Sequence, residues 1–503
     1  MGAIFRAASG VIVWLGQEAP GTVAAMELPR RVKRFWPSLH NNPTDLTDHE
    51  KTPPECPRWG QGAWPAFITL LNRPWFRRLW VIQEVVTAKD IIVTCGTSTA
   101  FWDDFTKLVR VVETVHNYSL GANTMLGSKT AAQYISFMQE LRSITQQGTQ
   151  QAVKDYANED SMAPYVLQMA KDCEATDHRD KLFAFHHLVR LWNRPDYAMS
   201  IEMLYKLFAV QYLQRIAYAI SEFSCDEAKL SRRQLEFICT AGLCNQRLNL
   251  PSWTPDWSVP WQARPLWLGA KCYSAGGTDV KEFAPVREVD SNGDAQFRLP
   301  VGAKLFDRVL AAGSQGLRLL KNGSQDLPEA LRSWLFQSKS LLHVNRNRPN
   351  IYANENEAFA RTLTAEQDQD GNKLTLEDSM QRYGALLEFL RQADDPDAMR
   401  AKGDVAVQEH NRLYYSVASF LRGRVFFLTE KGYFGLAQEG VGCGDSIALV
   451  RGAPVPLVLR PGPATGEEQS HAYRMLCEAF VLGIMDGEGW SDEAIPKETV
   501  TLV

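Results

Sequence analysis

Residues 73–95 read Arg-Pro-Trp-Phe-Arg-Arg-Leu-Trp-Val-Ile-Gln-Glu-Val-Val-Thr-Ala-Lys-Asp-Ile-Ile-Val-Thr-Cys, and this stretch decides the fold of the N-terminal part of the chain. Pro74 interrupts the preceding helical pattern, because proline lacks the amide hydrogen that continues a helix. Trp75–Ala88 then predicts one helix, and the mainly apolar run Ile91–Cys95 is typical of a buried strand. The stretch therefore predicts a helix that leads into a core strand, which is half of an α/β unit.

The beginning of the chain predicts the other half of this unit. Met1, Ile4, Phe5 and Ala8 recur at the spacing of one helix face, and Val11–Leu15 follows as a short buried strand. A folded domain rarely begins with a helix that feeds a core strand directly. Either this helix is a true N-terminus, or upstream strands that would pair with Val11–Leu15 are missing from the chain, and we expect the second.

The composition and the periodicity of apolar residues divide the sequence into three regions. Residues 1–96 form the α/β unit, residues 97–249 are mostly helical, and residues 250–503 combine helices with short β-like runs. The end of the third region, at about 425–480, is rich in strands punctuated by glycine and proline. The sequence therefore predicts an α+β fold that closes in a small antiparallel sheet or barrel.

The strands predicted in the third region are all short. Two separate strands are expected at Phe297–Val301 and Phe306–Ala311. The strands predicted in the tail are Val425–Thr429, Tyr433–Leu436, Ser446–Val450, Leu457–Arg460 and Tyr473–Ala479.

The charge balance argues against a protein that coats nucleic acid. The 503 residues include 54 Lys and Arg against 58 Asp and Glu, a net charge of −4, whereas such proteins carry a basic excess. No apolar run approaches the ~18 residues that span a bilayer, and no secretory signal is evident. The nine cysteines are scattered, which predicts free thiols in a reducing compartment. We therefore expect a cytoplasmic protein without a membrane span, a nucleic-acid partner or a metal site.

Three segments together resemble the fungal heterokaryon-incompatibility (HET) proteins. The first is residues 1–16, where Ile4-Phe5 leads into Val13-Trp-Leu-Gly. The second is Arg73–Val85, which is similar to the Arg-x-Trp-x-x-Gln-Glu segment of the family almost residue for residue. The third is Ala175–Lys181, which resembles the Thr-Asp-Pro-Arg-Asp-Lys helix entry of the family with histidine in place of proline.

The two ends of the chain differ in how well they match this family. In the tail, Gly444-Asp445, Pro456–Pro461 and Gly483–Glu488 look like the C-terminal part of long HET proteins. HET domains usually open with Leu-Ser-Tyr-x-Trp-Gly and Trp-Ile-Asp-x-Leu-Cys-Ile-Asn-Gln segments, and neither occurs here. The resemblance therefore indicates a HET domain that is N-terminally incomplete.

HET domains are distantly similar to TIR domains, so the resemblance implies an incomplete TIR-like α/β unit at 1–96. Some TIR domains cleave NAD with a glutamate four residues after a tryptophan on a helix, and Trp80 and Glu84 have this spacing. Residues i and i+4 share one helix face, so the indole would lie against the carboxylate and desolvate it. A fixed carboxylate can stabilise the oxocarbenium character that develops when the bond to nicotinamide breaks. Glu84 is thus a candidate catalytic residue with Trp80 in support; alternatively, Trp80 is core and Glu84 pairs with a neighbouring arginine.

A small basic cluster lies beside this pair in the sequence. Arg73, Arg77 and Arg78 are candidate phosphate contacts, because a guanidinium matches phosphate oxygens with two parallel hydrogen bonds. The alternative is that these arginines form a solvated face or pair with acidic side chains.

The resemblance implies a HET-family protein of non-self recognition and programmed cell death, whose partners are other proteins. Two alternatives remain open: a catalytically silent, truncated interaction or scaffold protein, and an effector that cleaves NAD through Glu84. No cofactor is indicated other than NAD as the possible substrate. Because the segments that would complete the pocket are expected to be missing, we expect no NAD cleavage from this 503-residue chain.

Overall fold

The protein is described by a computed structural model that divides into two compact units, Met1–Pro195 and Asp196–Val503. The residues that the structure describes are 2–36, 46, 55–119, 131–147, 166–167, 171, 173–186, 195–222, 235–236, 238–243, 247–259, 261–267, 273–277, 287–291, 294–317, 327–344, 351–368, 371–393, 413–414, 416–462 and 472–503.

The N-terminal unit contains three strands and seven helices among its described residues. In chain order these elements are α1 Gly2–Ala7, β1 Val11–Trp14, α2 Thr22–Val32, α3 Trp64–Leu71, α4 Val81–Thr87, β2 Ile91–Cys95, β3 Ser98–Phe101, α5 Trp102–Ser119, α6 Ala131–Gln147 and α7 Asp180–Phe183. Two short 3-10 helices lie at Lys33–Phe35 and Pro74–Arg77.

The three strands form one sheet in the order β1-β2-β3. Strand β1 runs parallel to β2, with Val11 opposite Ile91, and β3 returns antiparallel to β2. Alternate side chains of a strand point to opposite faces, so Val11, Val13 and Ile91 lie on the same buried face. Helices α2 and α5 contact this sheet and bury that face.

The single helix predicted for Trp75–Ala88 is wrong. The chain forms the 3-10 helix at Pro74–Arg77, then an extended residue, Arg78 (φ −73°, ψ 132°), and only then α4. Arg78 pairs as an isolated β-bridge with Glu174, far away in the sequence. The helical pattern is therefore interrupted by a long-range backbone pairing that local periodicity cannot reveal.

The C-terminal unit combines helices with a β-rich end. Its described elements are α8 Ile201–Glu222, β4 Arg287–Ser291, β5 Asp294–Ala312, α9 Leu327–Val344, α10 Glu355–Leu363, α11 Leu376–Gln392, β6 Arg424–Thr429, β7 Phe434–Gln438, β8 Ser446–Val450, β9 Leu457–Pro461, β10 Ala472–Val481, α12 Glu488–Ser491 and β11 Glu498–Leu502, with a 3-10 helix at Ala241–Leu243. Helix α11 begins at a capping box in which Thr375 and Asp378 bond each other's backbone amides.

Six strands of this unit close into a ring. Neighbours follow the order β10-β7-β6-β5-β8-β9, every neighbouring pair is antiparallel, and β9 pairs with β10 to complete the circle. Closure leaves these six strands without an open edge. The interior is filled by apolar side chains, which include Phe306, Val309, Phe427, Ile447, Val458 and Val481. The predicted α+β class, with antiparallel strands in the tail, is confirmed.

The two strands predicted at Phe297–Val301 and Phe306–Ala311 are in fact one. Strand β5 runs without a break from Asp294 to Ala312. Its first half pairs with β4 and β11, and its second half pairs with β8 and β6. Continuous pairing with successive neighbours keeps the chain extended where its sequence pattern is interrupted.

A fully buried ion pair lies between strands of the ring. The Nη2 atom of Arg424 on β6 donates to Oε1 of Glu478 on β10 at 2.9 Å, and neither side chain is exposed. Arg424 also donates to the carbonyls of Phe420 and Arg264, and Glu478 accepts from the amide of Leu266 at 2.6 Å. Burial raises the pKa of Glu478 to about 7, although Arg424 acts in the opposite direction. The pair therefore joins the ring to the segment around Leu266.

None of the helices that the structure describes is long and apolar enough to cross a membrane. Within the same described ranges, no group of three or more His, Cys, Asp or Glu side chains could hold a metal ion.

Candidate functional site

Two of the motif segments found in the sequence pack directly on each other. The amide of Leu79 donates to the carbonyl of Glu174 at 3.0 Å, and the amide of Glu174 donates to the carbonyl of Arg77 at 2.7 Å. These bonds join residues 77–84 to residues 173–184, and we call the two stretches together the motif junction.

Side chains of the motif residues complete this junction. The indole nitrogen Nε1 of Trp80 donates to Oδ2 of Asp180 at 2.9 Å, across 100 positions of sequence. The side-chain amide of Gln83 donates to the carbonyl of Ala184. The buried Lys181 donates from Nζ to the carbonyls of residues 171 and 173. The fold therefore gives a structural role, as hydrogen-bond partners, to four of the motif residues: Trp80, Gln83, Asp180 and Lys181.

Asp177 and Arg179 form a local pair at the edge of the junction. The guanidinium of Arg179 donates from Nε and Nη2 to the two carboxylate oxygens of Asp177, with Nη2 2.7 Å from Oδ2. These hydrogen bonds lower the pKa of Asp177. A fork-shaped pair of this kind fixes the entry to α7, because both side chains are held in one geometry.

Glu84 differs from the other buried and half-buried acidic residues of the motif junction, because its carboxylate has no partner among the described residues. Its side chain is half-buried on the first turn of α4, and it accepts no hydrogen bond and forms no ion pair with any residue that the structure describes. Desolvation raises the pKa of Glu84, while the positive charge of Arg78 lowers it by a smaller amount. The arginine partner that a purely structural role would require is therefore not in contact with it among these residues.

A second polar group without a partner lies beside Glu84. Gln83 is buried, and its Oε1 atom accepts no hydrogen bond from the described part of the chain. A buried amide oxygen without a donor costs free energy. The neighbouring positions 83 and 84 of α4 thus both present acceptor oxygens that the described fold does not use.

The three candidate phosphate contacts do not converge on Glu84. Arg73 donates from Nη2 to the carbonyl of Gln17 at 3.0 Å, and so it holds the loop that follows β1. Arg77 and Arg78 are exposed, and of the three only Arg78 acts electrostatically on Glu84. The arrangement thus gives Arg73 a structural contact and leaves Arg77 and Arg78 open to solvent.

A further feature, which the sequence analysis missed, lies at the carboxyl ends of β1 and β2. The amide of Gly96 donates to the carbonyl of Gly16 at 2.9 Å, and Oε1 of Glu18 accepts from the amide and the hydroxyl of Thr97 at 2.9 and 2.7 Å. These hydrogen bonds lower the pKa of Glu18. The only sequence signal was a glycine directly after each of the predicted strands, Val11–Leu15 and Ile91–Cys95.

Gly96 should not tolerate a larger residue. Its φ is +57°, and a Cβ atom added there would lie 2.0 Å from Cγ of Glu18. We expect Gly96→Ala to cost about 1–3 kcal/mol of backbone strain, in addition to the loss of the Glu18–Thr97 bonds. Urea unfolding of the protein measures this cost.

Gly62 provides the matched control for this prediction. It has a similar φ of +60°, but nothing lies within 4 Å of an added Cβ atom. Gly62→Ala should therefore show the backbone strain alone. Equal losses of stability in the two variants would contradict a specific role for the Glu18 contact.

The structure thus shows an α+β protein with a small mixed sheet, the motif junction and a closed ring of antiparallel strands. Comparison with known families agrees with the sequence resemblance. Residues 1–84 match the family model of the heterokaryon incompatibility protein (HET), and this match ends at Glu84. Residues 345–497 match the model of the Het-6 beta-barrel domain. The chain is therefore similar to HET proteins at its beginning and to the Het-6 barrel in its C-terminal part.

One curated relative matches most of the chain. Heterokaryon incompatibility protein 6, OR allele, from Neurospora crassa is 23% identical over 468 residues, which covers 84% of this chain. The chain spans 65% of the length of that relative. No solved structure matches the chain.

Proposed function

We propose that this protein acts in heterokaryon incompatibility, as a cytoplasmic component of non-self recognition and programmed cell death. In this proposal the HET portion is the effector, and the part that contains the Het-6 barrel recognises other proteins or regulates the effector. The name of the Neurospora crassa relative and the two family matches support it. The observation that carries it is the motif junction, in which Trp80, Gln83 and Asp180 form hydrogen bonds and Glu84 has no partner among the described residues.

NAD cleavage through Glu84 is the second candidate. The carboxylate of Glu84 is half-buried, has a raised pKa and forms no ion pair within the described ranges, which suits the stabilisation of an oxocarbenium-like transition state. The position of the arginines argues against efficient cleavage, because Arg73 is bonded to Gln17 and no arginine is within ion-pair distance of Glu84 among the described residues. We therefore keep the expectation that the 503-residue protein releases no nicotinamide from NAD.

A catalytically silent interaction protein is the third candidate. It predicts that binding of partner proteins accounts for the whole phenotype and that Glu84 can be replaced without effect. The three candidates thus differ in two observables: whether growth arrest depends on Glu84, and whether nicotinamide is released.

The test is expression of the full chain in a panel of fungal strains, with growth arrest scored after cell fusion. We expect arrest in some strain combinations, loss of arrest with Glu84→Gln, and no effect of the control Glu174→Gln, since Glu174 is exposed and contributes only its backbone to the junction. Tolerance of the protein by every strain combination would contradict the proposal. Arrest that persists in Glu84→Gln would favour the silent interaction protein.

Incubation of the purified protein with NAD decides between the first two candidates. Nicotinamide release that is lost in Glu84→Gln would make the NAD-cleaving effector the leading candidate. Loss of a group that stabilises transition-state charge typically reduces the rate on the order of 10²–10³-fold.

A further inference from the structure

Two short helical turns are bonded to each other at the motif junction. On the side of α7, Oδ2 of Asp180 accepts from the indole of Trp80 at 2.9 Å. The carbonyl of Ala184, the residue that ends α7, accepts from the side-chain amide of Gln83. Asp180 and Ala184 belong to one turn, since the amide of Ala184 donates to the carbonyl of Asp180 at 2.9 Å. This turn of α7 is therefore bonded to the start of α4 at two points.

Helix α4 depends on such contacts for its position. It has only seven residues, Val81–Thr87, and no side chain caps its start at Trp80. A helix of this length is not stable by itself in water, so tertiary contacts decide where it lies. The bonds from α7 thus determine the position of the first turn, which carries Glu84.

The residues on both sides of Glu84 are anchored, whereas the side chain of Glu84 is not. Gln83 is bonded to Ala184, and the carbonyl of Val85 accepts from Nη1 of Arg142 at 2.9 Å. Desolvation raises the pKa of Glu84, so its carboxyl group lies partly within the protein. Neighbours that are held by other side chains are the arrangement expected around a preorganised functional group.

The residue at position 180 is a carboxylate, although an apolar side chain would suffice for packing. Asp180 is only 9% exposed, and burial of a carboxylate costs free energy that its hydrogen bonds must offset. A leucine could pack against the indole of Trp80 without this cost. A carboxylate oxygen, by contrast, accepts the indole N–H along a preferred direction and so fixes the rotation of the ring.

We propose that Asp180 is a positioning residue for Glu84, which it holds in place through Trp80 on the first turn of α4. Trp80 and Glu84 are four positions apart, on the same side of the helix. Fixing the indole therefore fixes the surface beside the carboxyl group. The inference rests on the proposed function, in which Glu84 acts, because a functional group must be held within about 0.5 Å of its productive position.

The test is the pKa of Glu84 in the full chain, measured by NMR with ¹³C in the glutamate carboxyl groups. Its signal is the one that Glu84→Gln removes. We expect the pKa of Glu84 to fall toward the ordinary value of a glutamate in Asp180→Ala and in Asp180→Leu, since release of the first turn of α4 exposes the carboxyl group to water. Leucine fills the site without accepting a hydrogen bond, so it tests the bond and not the packing. Asp180→Asn keeps an acceptor oxygen for the indole and should preserve the raised pKa.

Glu174→Gln is the matched control. It removes an exposed carboxylate from the same stretch of the motif junction, and only the backbone of Glu174 bonds residues 77–79. This control should leave the pKa of Glu84 unchanged. A thermal melt confirms that each variant folds, and Asp180→Leu decides the comparison if Asp180→Ala does not fold.

Growth arrest is scored for the same variants. It should be lost in Asp180→Ala and Asp180→Leu and kept in Asp180→Asn. An unchanged pKa of Glu84 in the folded Ala and Leu variants, or arrest that persists in both, would overturn the proposal. Absence of arrest with the unchanged protein would contradict the proposed function instead. The NMR comparison needs no active protein, so it still decides whether Asp180 positions Glu84.

Discussion

Replacing Arg424 with methionine is expected to lower the free energy of unfolding of the C-terminal unit by about 3–5 kcal/mol. The substitution leaves Glu478 buried without its partner, so this carboxyl must become protonated or stay charged, and removing one partner of a buried pair carries a cost of this size. It also removes the donors to the carbonyls of Phe420 and Arg264. Urea unfolding, followed by far-ultraviolet circular dichroism, measures the loss.

The double substitution Arg424→Met with Glu478→Gln is the control for this first prediction. It removes both charges, so it should cost less than Arg424→Met alone. A double variant that is as unstable as the single variant would show that packing, and not charge, explains the loss.

The same pair makes stability depend on pH. The pKa of Glu478 is raised from 4.5 to about 7 in the folded protein, so the folded state binds this proton more tightly than the unfolded chain. Its stabilising contribution is therefore complete below about pH 4.5 and is lost as the pH rises through about 7. Glu478→Gln should flatten this part of the profile of unfolding free energy against pH.

Replacing Arg142 with methionine should be the most damaging substitution in the N-terminal unit. The guanidinium of Arg142, which is nearly completely buried, donates to the carbonyls of Val85 at 2.9 Å and Lys89 at 2.6 Å, and also to that of Ala88. Val85 lies in the last turn of α4, and Ala88 and Lys89 follow the end of the helix, where carbonyls lack partners within the helix. Hydrogen bonds from a charged donor are worth about 1.5–3 kcal/mol each, so we expect a loss of about 3 kcal/mol or more in urea unfolding.

Arg110→Met serves as the control for Arg142. Arg110 lies on α5, and its side chain is exposed. Substitution of an exposed residue of this kind should change the free energy of unfolding by less than about 0.5 kcal/mol. A similar loss in both variants would mean that Arg142 does not act as the cap of α4.

The tail strands were predictable from the sequence, and the packing around α4 was not. Most of the tail runs are apolar and lie close to glycine or proline, so local signals suffice, as Ser446–Val450 illustrates. Arg142 and α4 are joined by contacts between residues more than 50 positions apart, and the β-bridge of Arg78 with Glu174 joins residues 96 positions apart. Contacts of that range leave no periodic trace in either segment.

The candidate site, too, was predictable from the sequence only in part. The spacing of Trp80 and Glu84 on the chain was visible, and the two residues do lie at the start of α4. The bond from Trp80 to Asp180 was not predictable, since both residues belong to separate motifs 100 positions apart. The sequence therefore identified the segments of the motif junction. Only the structure shows which of their side chains form hydrogen bonds with other described residues and which do not.

The central claim is that Glu84 serves the function of the protein and does not stabilise its fold. The most direct test is the change in free energy of unfolding of Glu84→Gln at pH 7. Burial raises the pKa of Glu84, which forms no ion pair with the described residues, so ionisation of this carboxyl in the folded protein opposes folding. The stability held by the protonated form is lost as the pH rises through the folded pKa. We predict unchanged or increased stability, whereas the reference variant Asp180→Ala, which leaves the indole nitrogen of Trp80 unpaired, should lose about 1–3 kcal/mol. A loss in Glu84→Gln as large as that in Asp180→Ala would contradict the claim.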